Sequence, residues 1–176
     1  VGGTEGRSGV GEIRGAHARI QNQSGANMVI NHAITAGVPS IDNFNAVSEF
    51  ELAQTGCYRS QQQANAAIRT VFTGNNWLNN IVVTGNVNLN QTCNAYWNGS
   101  TVNFFRSGGG CANTGELPGI SLHEYGHGLD SNDGGGGSPD NGSGETYGDF
   151  TAALATHTSC TGAGFLTSNC GGYGNA

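Results

Sequence analysis

Leu122-His123-Glu124-Tyr125-Gly126-His127 is the stretch on which the reading of this chain turns. Histidines four apart on a helix project from one face, close enough to share one metal ion. Imidazole nitrogen suits Zn²⁺, and a catalytic zinc takes three protein ligands and keeps one position for water. Glu124 directly follows the first histidine, so it stands beside that water as a candidate to take its proton. That is the chemistry of metal-assisted peptide hydrolysis. A five-residue pattern with two free positions also arises by chance, so the weight falls on what surrounds it.

Two histidines need a third ligand, and the sequence offers two routes to one. Downstream lies Gly144-Glu145-Thr146-Tyr147-Gly148-Asp149. If the chain returns there on a second helix, Glu145 supplies a carboxylate oxygen. Asp149, four residues on and on the same face, can accept the free N–H of a liganding histidine, which orients the ring. The other route breaks the first helix after His127 and uses Asp133. That compact arrangement normally needs a glycine three residues past the second histidine, where Asp130 stands. It also carries a methionine turn downstream, whereas the single methionine here is Met28, far upstream. The Glu145 route is favoured.

The pattern around the two clusters predicts an α+β domain. Residues 1–16 carry six glycines and read as a loop or extended arm. One or two short strands are expected between His17 and Thr35. Ser48 and Glu51 form a capping box, and Ala64, Ala67, Ile68, Val71 and Phe72 recur at helical spacing as a core stripe. This helix is expected to break near Gly56 and to end before Gly74. Strands are predicted at 81–83, 87–89 and 101–105. Pro118 suits the first turn of the motif helix. The glycine-rich run 131–143 is a loop, and the helix that follows, starting near Gly144, presents Phe150, Ala153 and Leu154 as its apolar face.

Composition narrows the class of protein. A chain of 176 residues has the length of one domain, with a low hydrophobic fraction of 36% and 31 glycines. It has no lysine, and a net charge of −6 without a basic run argues against nucleic acid or an anionic membrane as partner. No apolar run is long enough to span a bilayer. Cys57, Cys93, Cys111, Cys160 and Cys170 form no C-x-x-C pair. They read as disulfide cysteines of a secreted protein, with Cys160 and Cys170 closing a short loop. The odd number suggests that the chain is a piece of a longer polypeptide, whose remainder would be a partner.

His123-Glu124-Tyr125-Gly126-His127 followed by Gly144-Glu145-x-x-x-Asp149 resembles the gluzincin zinc metallopeptidases, most closely the thermolysin and fungalysin branch. Cys93-Asn94-Ala95-Tyr96-Trp97 resembles the edge strand along which those enzymes pair the substrate backbone, a form of β-augmentation. The resemblance covers residues 86–150. It implies a zincin-like fold, a mixed sheet whose edge strand packs on the motif helix, with a Glu-bearing helix after it. It makes His123, His127 and Glu145 the zinc ligands, Glu124 the general base, Asp149 the group behind a ligand, and Asn94 with Ala95 the substrate-binding residues. A disulfide between Cys93 and Cys111 would pin that hairpin, leaving Cys57 to pair outside the chain.

The chain also departs from those enzymes. They stabilise the oxyanion with a tyrosine between the two zinc clusters, or with a histidine in a later helical subdomain. No tyrosine lies between residues 128 and 144, and His157 is the one candidate downstream. Asp130 could serve the second histidine. Ca²⁺ could sit among Asp130, Asp133, Asp140 and Asn141, although their spacing is not that of a twelve-residue EF-hand loop. His17 and His32 read as ordinary surface or core histidines. The expectation is a secreted zinc endopeptidase acting on peptide or protein. The competing expectation is a structural or assembly protein that keeps a peptidase-like module without turnover.

Overall fold

The computed structural model describes residues 7–34, 43–166 and 170. Its centre is a four-stranded mixed sheet in the order β2-β4-β6-β5, with β2 Ala18–Asn22, β4 Val83–Leu89, β5 Ala95–Trp97 and β6 Thr101–Phe105. The first three strands run parallel, and β5 closes one edge antiparallel to β6. Parallel neighbours need a long crossover. Between β2 and β4 that crossover carries the helices α1 Glu49–Ile68 and α2 Asn76–Asn80. The β5–β6 turn is Asn98-Gly99, with Gly99 at φ +93° and the Asn98 side chain accepting the N–H groups of Ser100 and Thr101. Two helices follow, α3 Pro118–Asp130 and α4 Asn141–Thr156. Pro118 stands in the first turn of α3, as expected.

Several expectations fail here, each for a physical reason. Residues 7–12, within the stretch read as a loop or extended arm, form β1, which pairs antiparallel with β3 Val29–Ile34 in a separate ribbon. Ile13 just after it is buried in the core. Residues 1–6 lie outside the described part. The helix α1 runs unbroken through Gly56, where the missing Cβ makes room for the carbonyl of Gly115, 3.2 Å from where a Cβ would stand. The start of α1 is as predicted, with the Glu51 carboxylate accepting the Ser48 N–H at 2.9 Å. The two strands expected at 81–83 and 87–89 are one strand, β4, and Ile81 instead caps α2, which the sequence reading missed.

The α1 stripe holds only in part. Ala64 is buried and Ile68 packs against the core, but α1 ends at Ile68, so Val71 and Phe72 lie past it and are exposed, and the inward residues include Gln54, Gln61 and Asn65. On α4 the buried positions are Gly148 and Ala152, whereas Phe150 and Leu154 are 63% and 73% exposed. Val71 and Phe72, just past α1, and Phe150 and Leu154 of α4 border one shallow apolar hollow.

The low hydrophobic fraction is explained by amides that take core positions and pair with one another. Asn65 donates to the carbonyl of Leu78 at 2.8 Å and to the Tyr125 hydroxyl at 3.1 Å. Asn88 donates to Asn22 and to the Phe50 carbonyl, and accepts from Asn113. A buried amide of this kind stabilises only while its partners are present. Asn65→Ala is expected to cost about 2–3 kcal/mol, from orphaned buried partners and a small cavity. Urea unfolding measures it, and a loss below about 0.5 kcal/mol would show that the network contributes little.

The disulfides Cys93–Cys111 and Cys160–Cys170 are both formed. Cys57 does not await an outside partner. It is fully buried beneath the sheet, and burial pushes its thiol up to about 12, so it stays protonated and out of reach.

Candidate metal centre

The two histidines of α3 face the first two and a half turns of α4, from Asn141 to Asp149. Close packing of these helices depends on two glycines, each in a free position of its motif. A Cβ on Gly126 would lie 2.9 Å from the backbone of Gly148 and from Thr151. A Cβ on Gly148 would lie 2.9 to 3.0 Å from three atoms of the His123 ring. With no side chain at either site, the helices approach until Glu145 reaches both imidazoles. Asp140 caps the start of α4, accepting the Ser143 N–H at 2.9 Å, which fixes where Glu145 sits on its turn.

The donor atoms converge. His123 Nε2 and His127 Nε2 are 3.0 Å apart, His123 Nε2 lies 3.1 Å from Glu145 Oε2, and His127 Nε2 lies 3.7 Å from Glu145 Oε1. A tetrahedral site with bonds of about 2.0–2.1 Å has ligand–ligand edges of about 3.3–3.4 Å. The observed separations bracket that value. These three residues are also the one His/Cys/Asp/Glu group among the described residues whose ligand atoms lie within 4.8 Å of one another. The donor set fits zinc.

The remaining residues fall into place around these three. Asp149 Oδ1 meets His123 Nδ1 at 2.9 Å, which directs the other ring nitrogen, Nε2, at the cluster. Burial holds His127 below the usual imidazole range, with the neighbouring His123 ring adding to the effect. Glu124 is buried, and burial pushes its carboxyl up to about 7, while the backbone N–H of Trp97 donates to it. The contact with Trp97 was invisible in the sequence. It ties the β5 edge strand to the residue beside the histidine cluster.

The other predicted residues sort cleanly. Asn94 and Ala95 line the same cleft of about 570 Å³ as Glu124 and the three ligand candidates. The Asn94 carbonyl accepts from Phe105 N–H at 3.3 Å and from the Thr114 hydroxyl at 3.0 Å, and Asn98 N–H donates to Thr101. Backbone groups alternate along a strand, so those of residues 94, 96 and 98 face β6. Those of Ala95 and Trp97 face the cleft. The disulfide partner Cys93 lies at the cleft as well.

Asp133 does not join the cluster. Its carboxylate accepts from Tyr147 at 3.3 Å and from Gly135 N–H at 2.7 Å. The Asp130 carboxylate is engaged by the N–H and hydroxyl of Ser138, both at 3.0 Å. His157 ends α4 in the left-handed region and does not line the cleft. The ring of His17 lies against the Arg69 guanidinium at 2.8 Å, away from the site. Sequence reasoning missed Ile120, Thr161 and Phe165, which also line the cleft. Thr161 and Phe165 arrive on the segment after α4, for which no local motif exists.

No protein-family model matches the chain, and no curated protein does. Among solved structures, the precursor of protealysin, a metalloproteinase from Serratia proteamaculans, superposes with a TM-score of 0.57 at 16% sequence identity. The match covers 80% of this chain and 43% of that one. The fold is zincin-like. The chain spans less than half the length of that structure, and at this identity the likeness speaks for architecture alone.

The packing around His123 yields one expectation at once. Asp149→Asn keeps the shape but removes the charge behind the ring. Zinc affinity is expected to fall about 10–100-fold, as measured by competition with a chromophoric chelator. Unchanged affinity would mean that Asp149 does not support the ligand.

Proposed function

We propose that this chain is the catalytic module of a secreted zinc endopeptidase. The observation that carries the reading is the joint placement, in one cleft, of the His123–His127–Glu145 cluster, the buried Glu124 and the open edge of β5. Zinc bound there supplies a Lewis acid that polarises a carbonyl and acidifies water. The chain's own groups do the rest. Ala95 offers its backbone N–H and C=O on the cleft side of β5, and Trp97 its C=O, so an extended peptide adds as a further strand and its scissile bond is brought to the cluster. Asn94 adds a side-chain amide at the start of that strand.

Glu124 takes the proton of the attacking water at its carboxylate and returns it to the leaving nitrogen. Burial favours this exchange, because a carboxyl with a raised pKa holds a proton long enough to deliver it. Asp149 holds the His123 tautomer throughout. The two disulfides of the described residues support an oxidising, extracellular setting.

The test is direct. Purified protein should hydrolyse an unfolded protein such as casein with one zinc bound per chain, lose activity to a chelator, and regain it on stoichiometric zinc. Zinc binding with no hydrolysis of any peptide would favour the non-catalytic assembly module instead.

A further inference from the structure

The cleft carries more negative charge than the proposed chemistry uses, because Asp130 has no part in it. Its lining includes Glu124, Asp130, Glu145 and Asp149 and no arginine, and the chain has no lysine. Three of the six arginines are engaged elsewhere. Arg19 donates to Thr84 at 2.8 Å, Arg69 meets His17 at 2.8 Å, and Arg106 lies near Glu49. One divalent cation does not neutralise four carboxylates.

The end of α3 deepens the same sign. Asp130 is its last residue and Ser131 its cap, and both line the cleft. The carbonyl end of a helix carries roughly half a negative charge, so a carboxylate there works against its own helix. Ser138 holds that carboxylate in place with two hydrogen bonds. A peptide paired with β5 turns every second side chain toward the sheet face on which α3 lies. Clefts lined by one sign of charge focus the field and enrich ligands of the opposite sign.

Resting on the peptidase reading above, we infer that the cleft selects cationic polypeptide segments, with arginine or lysine beside the scissile bond. The carboxylate that acts through charge alone is Asp130, which the proposed hydrolysis of a neutral peptide does not use.

The experiment uses the zinc-loaded full chain and three quenched fluorescent peptides that differ only in arginine, glutamine or glutamate flanking the cleaved bond. The expected order of kcat/KM is arginine, glutamine, glutamate, with a spread of about tenfold or more at low salt. That spread should collapse near 1 M salt, where the screening length is about 3 Å. Ser131→Arg, at an exposed cap position on the cleft wall, should narrow the spread. Asp130→Asn should narrow it too. Uncleavable D-residue versions of the peptides, followed by fluorescence anisotropy, should give the same order in Kd. Equal kcat/KM values, or a spread indifferent to salt and to Ser131→Arg, would overturn the inference while leaving the peptidase reading intact. If no peptide is cleaved, that reading fails, and the anisotropy series still decides the inference: an arginine preference supports it, equal Kd values overturn it.

Discussion

Glu124→Gln is expected to lower peptide hydrolysis by about 10²–10⁴-fold while the protein keeps its zinc. The substitution is close to isosteric, and the glutamine carbonyl can still accept the Trp97 N–H that the carboxylate accepts now. What is lost is the one group beside the histidine cluster that can take a proton from water and give it back. Glu124 is not among the three clustered ligand residues, so metal content should stay at one per chain. Loss of zinc together with activity would instead make Glu124 part of the metal's support. Activity within a few-fold of the parent would remove it as the base, and with it the mechanism proposed above.

Gly148→Val should be nearly as damaging, for a reason far from any proton. A side chain at 148 would have to enter space 2.9 to 3.0 Å from Nδ1, Cε1 and Nε2 of His123. The ring cannot simply rotate aside, because Asp149 holds it from the next residue along α4. Either α4 retreats, carrying Glu145 away, or the ring leaves its place. A misplacement of about 1 Å in a catalytic array costs around 10²-fold in rate, and zinc affinity should fall with it. Valine is a better helix former than glycine by a few tenths of a kcal/mol, far too little to offset this. Unfolding by urea, followed alongside zinc titration, separates a displaced ligand from a collapsed fold. Normal zinc affinity and activity in Gly148→Val would show that the interhelical contact does not set the site.

The two glycines mark how far the sequence could be read. His123, His127 and Glu145 were legible because two histidines at i and i+4 share a helix face and a Gly-Glu cluster with an aspartate four residues on follows them, and the structure brings those three together. Gly126 and Gly148 occupied the free positions of the same motifs and carried no meaning until the two helices were seen to touch. The α+β class and the helices bearing the motifs followed from periodicity and from Pro118. The α1 and α4 faces did not, because amides such as Gln54, Gln61 and Asn65 occupy the core while Phe150 and Leu154 remain outside. A period count scores hydrophobicity and cannot know that a buried asparagine has found its partners. The ribbon of β1 and β3 was hidden for a related reason. Its first strand, with two glycines in six residues, gains its pairing from residues 17 to 27 positions away.

The central claim is that one metal ion sits between His123, His127 and Glu145. X-ray absorption at the zinc edge on the stoichiometrically loaded protein tests it most directly. The account predicts a four-coordinate shell of two imidazole nitrogens and two oxygens at about 2.0–2.1 Å, with one oxygen lost in Glu145→Ala. A shell containing sulfur near 2.3 Å, or one unchanged by Glu145→Ala, would contradict it.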